Sequence, residues 1–135
     1  MLHRGIEDEV IPVSERFGIG QVVFSPLAQG VLTGKYKPGG KLPEGTRATD
    51  PKSNMYMDWM LTDEVLTKVE KLGVIAERNG ITMATLALAW VLRLPNISSC
   101  IIGASRPEQV TENVKAAGVK LSESDLAEID AILRG

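Results

Sequence analysis

Only two short segments of this chain have the composition of β-strands, and a long, largely helical stretch separates them. Residues 21–25 and 98–103 are rich in β-branched and apolar side chains, and turn-forming residues follow each of them. Strands joined by a helical crossover lie parallel in an α/β sheet. A two-stranded sheet is marginally stable in water and leaves both edges open for pairing. The sequence therefore predicts an incomplete α/β fold.

Helical patterns surround the two strands. The predicted helices cover residues 7–17, 63–79, 83–94, 107–118 and 122–133. The third of them is apolar almost all round, which predicts a buried helix with Trp90 in the core. Thr82 and Ser122 stand where two helices begin and suit the N-cap position. Residues 26–54 show no periodicity, and a loop of that length is usually functional.

The composition excludes several classes of protein. A formal net charge of −2 gives no basic surface for nucleic acid. No apolar stretch reaches the roughly 18 residues that a membrane span needs, and no segment resembles a secretory leader. The single cysteine, Cys100, allows no internal disulfide, and we expect a packed, inert thiol and a cytoplasmic location. His3 has no second ligand type at metal-binding spacing, so no metal site is predicted.

The segment that follows the first strand has the residue types of an anion-binding loop. Ser25 ends the strand, and its hydroxyl and amide can donate to an anion. Pro26 fixes its own φ and stiffens the turn. Gly30 and Gly34 permit positive φ and close approach of the backbone. Lys35 places a cation within a few residues of the same loop.

The segment after the second strand points to an anion as well. Gly103 ends the strand, and the helix that opens at Pro107 directs its free N–H groups and positive dipole end toward the same mouth. Ser105 and Arg106 can bind the anion. One face of this helix presents three further polar residues to the mouth: Gln109, Glu112 and Asn113. A Gly-x-Ser before a helix is often only a cap, but the two segments in this order favour one shared site.

Taken together, the two segments resemble strands seven and eight, with their loops, of the aldo-keto reductase family. The resemblance extends from Arg4 to Leu133 and is strongest to the bacterial and potassium-channel-β-subunit-like branch. It implies a (β/α)8 TIM barrel, the cofactor NADP(H) and a small carbonyl substrate. Such a barrel takes about 250 residues, whereas this chain has 135. We therefore expect residues 1–135 to form a single partial domain, the C-terminal portion of the barrel, incomplete as a barrel.

The resemblance also assigns cofactor contacts. Those after strand seven are Ser25, Pro26, Leu27, Ala28, Gln29 and Lys35, and those after strand eight are Gly103, Ser105, Gln109, Glu112 and Asn113. Arg47 matches a loop arginine that folds over the cofactor. Arg106, which is expected beside the ribose 2′-phosphate, stands where this branch of the family varies. Phe24 stands where many relatives carry tryptophan.

The catalytic Asp, Tyr, Lys and His of the family lie in the first half of its barrel, and no segment here matches their motifs. We therefore assign no catalytic residue and expect the isolated chain to be inactive. The leading interpretation is the C-terminal, cofactor-binding portion of an NADP-dependent aldo-keto reductase. The alternative is a non-catalytic nucleotide-binding or interaction fragment that needs a partner, either the missing N-terminal half or a second copy. The sequence leaves open the substrate and the choice between NADP and NAD.

A cluster of methionine and aromatic residues in the long loop has two interpretations. It comprises Met55, Tyr56, Met57, Trp59 and Met60. The cluster lines a substrate mouth, or it packs the loop against the barrel, which is the more common use of such residues.

Overall fold

The computed structural model describes residues 1–135, which form two strands and five α-helices. In chain order these are α1 (Val10–Arg16), β1 (Gln21–Phe24), α2 (Asp63–Arg78), α3 (Met83–Val91), β2 (Ile97–Ile101), α4 (Pro107–Val114) and α5 (Glu123–Arg134). The long loop between β1 and α2 contains three 3-10 turns at Ala28–Thr33, Arg47–Thr49 and Asp58–Met60, and a fourth at Lys115–Gly118 follows α4.

The two strands pair in parallel, as the sequence predicts. Val23 lies opposite Cys100 and Phe24 opposite Ile101, with an irregularity near the start of β1. A parallel pair needs a crossover connection, and the long loop, α2 and α3 together provide it. The α/β class is therefore confirmed, and the carboxyl ends of both strands lie at one edge of an open sheet.

Hydroxyl caps fix where three helices begin. The Thr62 hydroxyl accepts from the amide of Val65 at 3.3 Å, and this bond caps α2. Thr82 caps α3 and Ser122 caps α5 in the same manner, each through the amide three residues on. Each cap satisfies an amide that has no partner within the helix. The caps predicted at Thr82 and Ser122 are confirmed.

The core lies between α2, α3, α5 and the 3-10 turn that follows β1. Leu72 and Ile75 of α2, Leu86 of α3 and Ile129 of α5 are fully buried. Trp90 is buried with them, which confirms both the buried third helix and the core position of this tryptophan. Burial of such side chains contributes about 1.5–3 kcal/mol each. The helices are thus stabilised mainly by packing on one another.

One face of the sheet is uncovered. Val22, Phe24 and Ile101 share that face and are 61%, 80% and 58% exposed. On α4, Val110 and Val114 are exposed as well. Large apolar side chains on a common exposed surface mark a contact surface.

Several elements are shorter than their predicted ranges. The α3 helix ends at Val91 rather than at residue 94, and α4 ends at Val114, where a 3-10 turn replaces the predicted helix up to residue 118. The first helix begins at Val10 rather than Glu7, because residues 5–9 form turns. The carboxylate of Glu7, which lies in these turns, accepts hydrogen bonds from Arg4 and Arg93. Burial alone would raise the pKa of Glu7, but these bonds hold that pKa below its ordinary value. The second strand covers Ile97–Ile101 and stops before Gly103, because its partner strand ends at Phe24.

The exposed sheet face can be tested by matched substitutions. Phe24→Ser is expected to change the free energy of unfolding by less than about 0.5 kcal/mol, because the exposed ring makes little packing contact for the substitution to remove. Leu72→Ala, in the core, is expected to lower it by about 2–5 kcal/mol. Urea unfolding of the two variants measures both values. A comparable loss in Phe24→Ser would show that the sheet face is covered in solution.

Candidate functional site

A groove of about 1150 Å³ opens at the carboxyl ends of β1 and β2. The loop after β1 forms one wall, and the loop after β2 with the first turns of α4 forms the other. The segment around residues 45–53 and the start of α3 complete it. The groove therefore lies where ligands bind in parallel α/β proteins.

Eleven of the thirteen predicted site residues line this groove. They are Ser25, Pro26, Leu27, Gln29, Lys35, Arg47, Gly103, Ser105, Gln109, Glu112 and Asn113. The other two lie elsewhere: the side chain of Ala28 is buried in the core, and Arg106 is exposed outside the groove lining. The fold thus brings together two sequence segments that lie about 70 residues apart, as is expected when paired parallel strands both end at one edge.

The loop after β1 is held in a strained backbone conformation. Ser25, Ala28 and Gln29 have φ of 51°, 48° and 56°, and Gly30 has φ of 93°. Positive φ at a residue with a side chain costs about 1–3 kcal/mol and is typical of functional sites. Hydrogen bonds from the amide of Ala28 to the Ser25 carbonyl, 2.9 Å, and from that of Gly30 to the Leu27 carbonyl, 2.9 Å, maintain the coil.

Two cations of the groove have no acidic partner. Neither Lys35 nor Arg47 takes part in an ion pair within the protein. The Lys35 ammonium lies 5.2 Å from the ring centroid of Tyr36. Tyr36 is buried, and its hydroxyl accepts from the amide of Ala48 at 3.4 Å. The ring therefore positions both the ammonium and the turn that begins at Arg47, and their positive charge stays available for an anion.

Arg47 joins two segments that form one wall of the groove. Its guanidinium donates to the side-chain oxygen of Gln29 in the strained loop. The contact links the Arg47–Thr49 turn to the turn after β1. No feature of the sequence predicts the pairing of these two residues, although both are predicted separately as contacts of one ligand.

On the other wall, Gln109 holds the loop that precedes α4. Its side-chain oxygen accepts from the amide of Ser105 at 2.8 Å, the Ser105 hydroxyl at 3.2 Å and the amide of Arg106 at 3.2 Å. These are donors that the sequence assigns to an anion. The signal for this contact is a glutamine at the third helical position, which commonly bonds back to the residue before the helix. An anion at Ser105 therefore competes with the Gln109 side chain.

Glu112 is held from two sides. The Lys115 ammonium lies 2.6 Å from one carboxylate oxygen, and the Thr85 hydroxyl lies 3.3 Å from the other. The hydrogen bond from Lys115 holds the pKa of Glu112 below its ordinary value, and the hydrogen bond from the Thr85 hydroxyl acts in the same direction. Glu112 is therefore an ionised acceptor at neutral pH. The sequence predicts Glu112 as a site residue but gives no signal for Thr85, because Thr85 lies in a helix whose pattern predicts only burial.

Several polar residues of the 45–53 segment also line the groove and were not predicted. Asp50 accepts from the Ser53 hydroxyl at 2.6 Å and from the amide of Lys52 at 3.0 Å. These two bonds lower the pKa of Asp50. An aspartate followed closely by proline and serine is a turn signal, and it could have identified this part of the wall.

The remaining predicted features fall outside the groove. In the methionine-rich cluster, Met57 and Met60 are buried in the core, whereas Met55, Tyr56 and Trp59 are exposed, and none of the five lines the groove. Met57 and Met60 therefore pack part of the loop, as the second interpretation predicts, and a substrate contact of the three exposed residues stays a prediction. Burial raises the pKa of the half-buried Cys100 thiol, and this fits an unreactive side chain.

No three His, Cys, Asp or Glu side chains come together in a way that could hold a metal ion. No helix combines the length and the apolar character that a membrane crossing requires.

The fold and the groove define a parallel α/β protein with a polar, cation-bearing site at the carboxyl ends of its strands. Comparison with known proteins gives the family. The model of the aldo/keto reductase family matches residues 1–134. This chain belongs to the aldo/keto reductase family.

Three relatives show where in the family the chain stands. It is 42% identical over 132 residues to a putative voltage-gated potassium channel subunit beta of Schizosaccharomyces pombe, covering 94% of this chain and 38% of that protein. It is 44% identical over 114 residues to a probable subunit of the same kind from Arabidopsis thaliana, covering 84% and 34%. It is 37% identical over 134 residues to L-glyceraldehyde 3-phosphate reductase of Escherichia coli O157:H7, covering 96% and 38%. The chain thus spans little more than a third of the length of these relatives.

Gly30 gives a direct test of the strained loop. A Cβ at this position would lie 3.3 Å from the Lys35 ammonium nitrogen, and the backbone has positive φ. Gly30→Ala is therefore expected to lower the free energy of unfolding by about 1–3 kcal/mol and to displace the ammonium. Urea unfolding measures the first effect, and NMR titration with inorganic pyrophosphate measures the second as weaker binding.

Gly39→Ala is the matched control for that variant. Gly39 also has positive φ, but nothing lies within 4 Å of an added Cβ. The control is expected to lose stability and to keep the pyrophosphate affinity of the unaltered chain. Equal affinity in Gly30→Ala would contradict a role of Lys35 in anion binding.

Proposed function

We propose that this chain is the cofactor-binding portion of an NADP(H)-dependent aldo/keto reductase, which interconverts carbonyl compounds and alcohols in the intact enzyme. Residues 1–135 then form one partial domain that supplies strands seven and eight of a TIM barrel. The observation that carries the proposal is the convergence of eleven predicted contacts on one groove. We also propose a cytoplasmic location, in keeping with the single unpaired cysteine, Cys100.

Each wall of the groove suits a different phosphate of the cofactor. We assign the diphosphate to the wall with Ser25, Lys35 and Arg47, because two cations without acidic partners face one strained, amide-rich turn. We assign the ribose 2′-phosphate to Ser105 and the N-terminus of α4, where the helix dipole favours an anion. Arg106 follows Ser105 directly and can pair with that phosphate from outside the groove.

The chain's own residues bind and orient the cofactor, which supplies the hydride to the carbonyl carbon. Arg47 and Gln29 close one wall over the diphosphate, and Gln109 releases the Ser105 donors when an anion takes its place. The proton transfer needs a general acid. No tyrosine or histidine lines the groove of this chain, and we propose that the family's catalytic residues act from the part of the barrel that precedes these strands.

A second candidate is a non-catalytic nucleotide-binding or interaction module that a partner completes. The uncovered sheet face favours it, because Val22, Phe24 and Ile101 would all be buried by further strands. The two candidates share the groove and differ in whether the completed assembly reduces a carbonyl.

Weak binding of NADPH by the isolated chain is the first expected outcome. A few charge-assisted hydrogen bonds contribute about 1.5–3 kcal/mol each, and association costs about 4–15 kcal/mol, so we expect millimolar affinity. Lys35→Met should weaken binding about tenfold, the equivalent of one such bond. NMR titration of the groove amides with NADPH measures both affinities.

Lys120→Met is the control, because Lys120 is exposed, lies outside the groove and makes no ion pair. This variant is expected to bind NADPH as the unaltered chain does. Equal losses in the two variants would indicate only a general effect of net charge. Micromolar binding would contradict the view that the isolated site is a loosely held half.

No reductase activity is expected from the chain alone. Tyr36 is buried, with its hydroxyl bonded to the Ala48 amide, and Tyr56 lies outside the groove, so neither can serve as the acid. The measurement is the absorbance of NADPH in the presence of a reactive aldehyde and the purified chain. NADPH consumption that depends on the aldehyde and is lost in Lys35→Met would overturn this assignment.

A further inference from the structure

Thr85 links two walls of the groove from a buried position. It is 2% exposed, in the first turn of α3, and does not itself line the groove. Its hydroxyl lies 2.8 Å from the hydroxyl of Thr82 and 3.3 Å from a carboxylate oxygen of Glu112. A buried hydroxyl between a helix cap and a groove carboxylate connects the start of α3 to the side of α4.

The direction of these hydrogen bonds follows from the donors that are present. The Thr82 hydroxyl oxygen already accepts from the amide of Thr85 at 3.1 Å. An ionised carboxylate only accepts, and each hydroxyl has one hydrogen to donate. The Thr85 hydroxyl therefore donates to Glu112, and the Thr82 hydroxyl donates to Thr85. The result is a one-way chain of donors that ends on the carboxylate, and such chains strengthen each member.

The second carboxylate oxygen is held as well. The Lys115 ammonium lies 2.6 Å from it. A carboxylate has about four acceptor positions, and these two contacts use one on each oxygen. Glu112 lines the groove with the acceptor positions that are left. The side chain thus presents a fixed acceptor-only surface to a ligand.

We propose that Thr85 is a positioning residue that orients Glu112 to accept from the exocyclic amine of the cofactor's adenine and to reject a base with oxygen at that position. The inference rests on the proposed function: with the 2′-phosphate at Ser105, the attached adenosine reaches the face of α4 on which Glu112 follows Gln109 by three positions. The exocyclic amine of adenine is a hydrogen-bond donor, whereas guanine and hypoxanthine carry a carbonyl oxygen, an acceptor, at the same ring position. The Glu112 carboxylate and a base oxygen are both acceptors and repel each other, but the repulsion is strong only if the carboxylate cannot rotate away. The hydrogen bond from Thr85 restricts that rotation.

The test compares NADPH with its hypoxanthine analogue, in which inosine replaces adenosine. Both nucleotides are titrated into the purified chain and followed by NMR at the groove amides. The unaltered chain is expected to bind NADPH about tenfold more tightly than the analogue, the effect of about 1.4 kcal/mol. Thr85→Val keeps the buried volume and removes the donor, and it should reduce this preference to less than about threefold.

Thr85→Ser is the matched control, since it keeps the hydroxyl and should keep the preference. A second readout needs no nucleotide: the pKa of Glu112, measured by NMR, should rise in Thr85→Val and stay in place in Thr85→Ser. A purely structural role of Thr85 would weaken both nucleotides equally and leave their ratio unchanged. If Thr85→Val does not fold, Thr85→Ala removes the same donor and suits a helix.

The outcomes separate the two proposals. An unchanged preference in folded Thr85→Val overturns the role of Thr85 while NADPH binding stands. If neither nucleotide perturbs the groove amides of the unaltered chain, the proposed function fails, and the role of Thr85 in base selection fails with it. Equal affinity of the unaltered chain for both nucleotides overturns the inference alone.

Discussion

The parallel pairing of Gln21–Phe24 with Ile97–Ile101 is the constraint on which the rest of the structure depends. It fixes the carboxyl ends of two distant segments side by side, so the loops after both strands face one groove. The long loop, α2 and α3 form the crossover between the strands, and α2 and α3 bury their apolar residues against α5 and the 3-10 turn that follows β1. The strand pairing therefore assembles the groove, and packing among the helices supports it.

The strained turn after β1 depends on that packing. Ser25 leaves the extended conformation with positive φ, which ends the strand ladder at Phe24. Holding three such residues costs several kcal/mol in sum. Immediately after them Val31 and Leu32 are fully buried in the core, and burial of each contributes about 1.5–3 kcal/mol. The core thus offsets the strain of the loop that it supports, and it does so within a few residues.

The open sheet connects the fold with the family. The family model matches residues 1–134, and the alignments with two relatives cover 38% of each relative's length. Exposed apolar side chains lie on β1, β2 and α4, and in the partial barrel that we propose they are surfaces for further elements to cover. The groove is lined by the loops after both strands, and Phe24 and Ile101 belong both to this lining and to the exposed sheet face. The groove and the exposed face are therefore continuous.

The sequence by itself determined the elements, the parallel α/β class and most of the groove. Periodicity places the buried helix with Trp90, the caps at Thr82 and Ser122 follow from residue type, and strand ends predict which loops meet. Only the tertiary structure decided that Arg47 bonds Gln29 and that Thr85 holds Glu112. The tertiary structure also directs the side chain of Ala28 into the core, although the neighbouring Leu27 and Gln29 line the groove. Periodicity and capping are local properties, whereas these contacts depend on the path of an aperiodic loop and on helix packing, which bring together residues up to 27 positions apart.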